Sequence, residues 1–87
     1  MAYRIRFHRE ARKELEGLAD LDYERISAVL DSLQDNPRPA GSLKLARHDL
    51  WRVRVGPHRV ICEIDDSSET VFVLRIALRT ERTYRNL

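Results

Sequence analysis

The sequence predicts an α+β fold: a first strand, a helical hairpin, then a twisted, mainly antiparallel sheet with both helices on one face. Three observations carry this reading. Leu50 to Ile64, LWRVRVGPHRVICEI, holds two alternating runs of β-branched or aromatic residues on either side of Gly56-Pro57, the pattern of paired strands around a tight turn. Two stretches upstream carry apolar residues at helical spacing. A third apolar run, Thr70–Leu78, follows the turn sequence Asp65-Asp66-Ser67-Ser68.

Taken in order, Tyr3, Ile5 and Phe7 alternate with Arg4 and Arg6, so Ala2–Phe7 reads as the first strand. From Arg9 to Ala19, Ala11, Leu15 and Leu18 share one helical face, and Gly17 weakens the end. A second helix is expected over Leu21–Leu33, with Asp22 as N-cap and Tyr23, Ile26, Val29, Leu30 and Leu33 as its apolar stripe. The short link between the two makes a helical hairpin. Asn36-Pro37-Arg38-Pro39-Ala40-Gly41 ends the second helix in a loop. Leu43 and Leu45 add a short extended piece before the strand pair, and Thr70–Leu78 is the last strand. The tail is RTERTYRNL.

The 87 residues make one domain, 1–87, long enough for one modest core. There are no repeats and no low-complexity segment. The start, MAYRIRF, lacks the apolar core of a signal peptide, and no apolar run is long enough to span a membrane. Cys62 is the one cysteine, which excludes an internal disulfide and a cysteine-based zinc site. His8 and His48 have no partners in a metal-ligand pattern, so no metal and no cofactor is expected. Together these favour the cytoplasm. The net charge of +2 is mild, but residues 50–87 hold seven arginines against five acids, whereas residues 1–49 are balanced at nine and nine. Arginine forks suit phosphate, and also the carboxylates of a protein partner.

Pairing Val55 with His58 sets Arg54 opposite Arg59, Arg52 opposite Ile61 and Leu50 opposite Glu63. Trp51, Val53, Val55, Val60, Cys62 and Ile64 then form a core face, and three guanidinium groups gather on the other. Like charges directly across strands are destabilising, and a polyanion would relieve the repulsion. Arg52 and Arg54 point the same way, roughly 6–7 Å apart. With Arg59 they suit several phosphate oxygens and a pentacoordinate transition state. The plainer alternative is a solvated face with ion pairs such as Arg52–Glu63.

Leu50-Trp51-Arg52-Val53-Arg54-Val55-Gly56, His58-Arg59-Val60-Ile61, the Asn36-Pro37-Arg38-Pro39 loop, and Leu74-Arg75-Ile76 to Arg79 with Tyr84-Arg85 resemble the RelE/ParE toxin superfamily, the RelE branch in particular. The resemblance covers nearly the whole chain. It implies a microbial-ribonuclease-like fold and the role of toxin in a type II toxin–antitoxin system. RelE members cleave messenger RNA in the ribosomal A site: the ribose 2′-hydroxyl attacks the adjacent phosphate and leaves a 2′,3′-cyclic phosphate. The implied partners are a cognate antitoxin, the ribosome with its messenger, and operator DNA only through the antitoxin complex. The implied roles are Arg59, Arg79 and Tyr84 in catalysis, and Arg52, Arg54 and Arg82 in RNA binding, with Arg82 also the alternative to Arg79.

The chain departs from the family pattern in ways that bear on mechanism. Some members have lysines at the positions of Arg52 and Arg54. A lysine of lowered pKa accepts a proton, and arginine effectively does not. The general base is therefore open among Glu63, Glu81 and His58. His58 stands where relatives usually have tyrosine, and alternation puts it on the core face. Leu78 stands where many relatives have a polar or basic side chain. Two other function classes stay open: a ParE-like inhibitor of DNA gyrase, and a degenerate member acting only with its antitoxin.

Overall fold

The computed structural model describes residues 2–45 and 49–78. In chain order the elements are β1 (Arg4–Phe7), α1 (Arg9–Glu16), α2 (Asp20–Ser32), β2 (Leu43–Lys44), β3 (Leu50–Val55), β4 (His58–Asp65) and β5 (Thr70–Leu78). The five strands form one sheet in the order β1-β5-β4-β3-β2. Only β1 against β5 is parallel; the other three pairings are antiparallel. The α+β arrangement is the one expected from the sequence.

The β3–β4 hairpin has the register read from the sequence, with Val55 opposite His58, Arg54 opposite Arg59, Arg52 opposite Ile61 and Leu50 opposite Glu63. Gly56 sits at φ +59° in the turn. Pro57 cannot follow it into positive φ, so the two central residues meet the type II′ requirement, glycine first.

Alternation then divides the hairpin. Val53, Val60, Cys62 and Ile64 join Val71, Val73 and Ile76 of β5, and Ala11, Leu15, Ile26, Leu30 and Leu33 of the helices, in one core. Trp51 and Val55 pack against it. Both helices thus bury their stripes on the same face of the sheet.

Three expectations need correction. The second helix starts earlier than expected. Its N-cap is Ala19, with no side-chain cap, and Asp22 lies inside the first turn with Asp20. Two carboxylates there favour the helix through its dipole rather than through a capping hydrogen bond. Tyr23 is 45% exposed and so lies outside the buried stripe. The first helix stops at Glu16, with Gly17 as C-cap, short of Ala19.

β5 also carries a bulge. Ile61 faces Arg75 but Cys62 faces Val73, which leaves Leu74 as the extra residue. The bulge shifts alternation by one, so that Val71, Val73 and Ile76 are all buried. Arg75 Nε and Nη2 donate to Glu14 of α1 at 3.1 and 3.0 Å. Glu14 also accepts the Ile76 backbone N–H at 2.8 Å. Beyond β1, the open edge of β5 is therefore satisfied by a helix side chain, as a buried backbone donor requires.

Candidate nucleic-acid interface

The face of the sheet away from the helices carries the arginines. Arg54 on β3 lies directly opposite Arg59 on β4, and Arg52 is one row along, opposite Ile61. Facing Cα atoms in such a pair are about 4.5–5.5 Å apart, so the three arginines start from neighbouring positions on one face. The face is not uniformly solvated. Arg54 is exposed and Arg52 half-buried, whereas Arg59 retains 9% of its surface and Ile61 none. A charge that is largely withdrawn from water acts more strongly on a nearby anion than a surface charge does. None of the three arginines is unpartnered.

The proton-transfer candidates are distributed differently. Glu63 lies on the arginine face, between Leu50 and Phe72 in register. It is half-buried and makes no ion pair among the described residues. The Arg52–Glu63 pair of the solvated-face alternative is therefore absent there.

His58 is 6% exposed and paired between Val55 and Leu78. It lines a cavity of about 580 Å³ with Glu14, Leu18, Asp22, Pro57 and Ile76, on the helix side. Its Nδ1 is buried with no hydrogen-bond partner among the described residues. His58 thus has the expected core placement, and the sheet itself separates it from the arginine patch. Arg79, Glu81, Arg82 and Tyr84 lie outside the described residues.

Two arrangements had no sequence signal. Arg38, in the loop after α2, donates two hydrogen bonds to Asp66 in the β4–β5 turn, at 3.1 and 3.0 Å. Its guanidinium also lies 5.0 Å from the centre of the Trp51 ring, a cation–π distance. Tyr3 donates its hydroxyl proton to the same carboxylate at 2.7 Å. The Arg38 guanidinium, and then the Tyr3 hydroxyl, hold the Asp66 carboxyl below the usual carboxylate range. The second arrangement is Phe72, 37% exposed on the arginine face, between Arg6 and Glu63 in register. Among the described residues, no cluster of His, Cys, Asp and Glu is arranged to hold a metal ion. No described helix is long and apolar enough to cross a membrane.

A family model described as the ParE toxin of type II toxin–antitoxin systems matches residues 5–83. Solved structures match over nearly the whole chain. RelE in the archaeal RelE–RelB complex of Pyrococcus horikoshii is 28% identical, with a TM-score of 0.80 over 93% of this chain and 99% of that one. The RelBE2 toxin–antitoxin complex of Mycobacterium tuberculosis gives 27% identity and a TM-score of 0.79, over 91% and 100%. The intact RelBE complex of E. coli gives 21% and 0.82, over 92% and 100%, a likeness of fold. No curated protein matches the chain significantly in sequence.

Proposed function

Because the chain belongs to the ParE toxin family of type II toxin–antitoxin systems, within the RelE/ParE superfamily, we propose that it is a toxin of the RelE kind, a ribosome-dependent endoribonuclease held silent by a cognate antitoxin. The observation that carries this reading is the meeting of Arg52, Arg54 and Arg59 on one face of two paired strands. Backbone hydrogen bonds hold those three positions in register, although like charges directly across strands oppose folding.

In the proposed reaction the 2′-hydroxyl of a messenger nucleotide in the ribosomal A site attacks the adjacent phosphorus. Its proton passes to a base, the bond to the 5′-oxygen breaks, and that oxygen takes up a proton. The products are a 2′,3′-cyclic phosphate and a free 5′-hydroxyl. Arg59, with Arg79, stabilises the charge that builds on the phosphorane oxygens, where a preorganised donor contributes most. Arg52 and Arg54 hold the messenger backbone, with Arg82 as a further contact. Tyr84 stacks on a base. Glu63 and Glu81 are the groups able to accept the proton. Messenger and ribosome place this activity in the cytoplasm.

The antitoxin part of the proposal rests on the solved relatives, which are complexes with RelB antitoxins. An acidic segment that folds onto the arginine face would pair with guanidinium forks and block RNA. Operator DNA would be contacted through the toxin–antitoxin complex.

A second reading is favoured by the family model itself, which is that of ParE: inhibition of DNA gyrase through protein contacts. One pair of assays separates the two. Single-turnover cleavage of messenger on programmed ribosomes should be lost or slowed about 10²–10³-fold in folded Arg59→Ala protein, with ribosome binding largely kept. Plasmid supercoiling by gyrase should be untouched. Inhibited supercoiling with intact messenger would establish the ParE reading, and neither effect would leave a protein acting only with its antitoxin.

A further inference from the structure

We infer that Phe72, with Arg6 and Arg4 beside it, forms a second single-stranded RNA subsite on the face of the sheet that carries the arginines. The inference rests on the RNA-cleaving reading. It assigns the flanking nucleotides to residues outside the Arg52/Arg54/Arg59 cluster.

The strand order supplies the geometry. Arg6 on β1, Phe72 on β5, Glu63 on β4 and Leu50 on β3 lie in one row. Arg4 occupies the next row of β1, beside Thr70. Val71 and Val73, the neighbours of Phe72, enter the core, while Phe72 faces the other way and is 37% exposed. Three inter-strand spacings, about 14 Å, separate β1 from β3. An arginine pair on β1 and the cluster on β3–β4 thus bracket an aromatic ring on β5. Aromatic rings on a sheet between cationic side chains are the means by which sheets hold unpaired bases and their phosphates. Arg4 and Arg6 are exposed and make no ion pair among the described residues, unlike Arg38 and Arg75.

The neighbour of Phe72 decides between RNA and an acidic polypeptide. Glu63 flanks the ring and carries no ion pair among the described residues. Asp49, Asp65 and Asp66 line the same hollow; Asp65 is taken up by Ser67 and Ser68 and Asp66 by Arg38 and Tyr3, which leaves Glu63 and Asp49 to face a ligand. These carboxylates repel an acidic side chain seated on Phe72. They accept a hydrogen bond from the exocyclic amino group of a stacked base, as carboxylates accept from cytosine N4. Uracil presents a carbonyl at that position and is disfavoured.

Fluorescence anisotropy with labelled cytidine and uridine octamers, over a salt series and with the full chain, tests this. Phe72→Ala, and nearly as much Phe72→Leu, should weaken cytidine-octamer binding roughly tenfold to a hundredfold, the effect of losing one stacked base. The Arg4→Gln/Arg6→Gln pair should reduce the slope of log affinity against log salt by about 1.4, two phosphates at ~0.7 each. The cytidine octamer should bind more tightly than the uridine octamer, and Glu63→Gln should narrow the difference. Circular dichroism establishes that the variants are folded. Unchanged affinities in folded variants, or no octamer binding by the parent chain, would overturn the subsite. So would an oligoglutamate peptide whose binding needs Phe72 and Arg6 while RNA binding does not. Phe72-dependent octamer binding without ribosomal cleavage would keep the subsite and sink the nuclease. Cleavage with Phe72-independent binding would do the reverse.

Discussion

Asp66 accepts three hydrogen bonds from two residues that tie distant parts of the chain: two from Arg38 in the loop after α2, and one from Tyr3 in the segment leading into β1. Its carboxyl is held below the ordinary range, first by Arg38 and then by Tyr3. Asp65 is lowered as well, by the hydroxyls and backbone of Ser67 and Ser68. A carboxyl whose folded pKa lies below its unfolded value of about 3.9 contributes stability that is present above that value. The contribution is lost as pH falls toward the folded pKa. Asp66→Asn should therefore lower the urea midpoint at pH 7, and its difference from the parent should shrink as pH drops below 4. A difference independent of pH would mean that the carboxylate charge plays no part. Cys62 shows the opposite influence. Burial pushes its thiol up to about 12, and the side chain is shut inside the core. Iodoacetamide at pH 8 should label it only as the protein unfolds, because the thiolate is the nucleophile. Rapid native labelling would mean that β4 opens its core face.

The β3–β4 hairpin is the element most fully legible in the sequence, because two physical signals agree there. Gly56-Pro57 fixes where the chain turns, and strict alternation fixes which residues share a face. A one-residue slip would turn every core side chain outward. Gly56, at φ +59°, has no heavy atom within 4 Å of an added Cβ. The penalty for Gly56→Ala is then purely backbone strain, about 1–2 kcal/mol, read from urea unfolding. Gly56→Asn should lose less, since asparagine tolerates this region. Equal losses would point to a packing cause instead. The β5 bulge was not legible, because Leu74 is apolar and fits either face. Its consequence was hidden too, since the Arg75–Glu14 contact joins residues 61 apart. The start of α2 is not legible because Asp22 is a good cap in isolation, while its charge serves the helix equally well inside the first turn, beside Asp20. In the candidate site, Arg52, Arg54 and Arg59 followed from register. Phe72 did not stand out within an apolar run, and the Arg38 clamp depends on a turn that the fold brings close. Glu14→Gln tests the edge closure of β5. It weakens a charged hydrogen bond to Ile76 N–H and the pair with Arg75. A loss of about 1–2 kcal/mol is expected for a half-exposed group.

Across the whole molecule, the two faces of one thin sheet have separate tasks. One face takes both helices and holds nearly all of the core. The other carries arginines on β1, β3 and β4 around the buried Leu50 and Ile61. A single small core leaves little stability in reserve, so a ligand on the arginine face should change the stability of the whole chain. An antitoxin segment that binds only the folded toxin, at a hundred times its dissociation constant, adds about 2.7 kcal/mol. At about 4–8 °C per kcal/mol for a domain of this size, the melting midpoint should rise by roughly 10–20 °C. Because the proposed contacts are acidic groups on arginines, the rise should shrink markedly between 0.05 and 0.5 M salt. The same segment should displace a labelled RNA octamer, and the octamer should weaken the segment by an equal factor, as linkage demands. Calorimetry of the toxin with a synthetic antitoxin segment, with and without the octamer, measures all three effects. A salt-insensitive rise, or a ternary complex without mutual weakening, would place the antitoxin on the helix side and leave the arginine face to RNA alone.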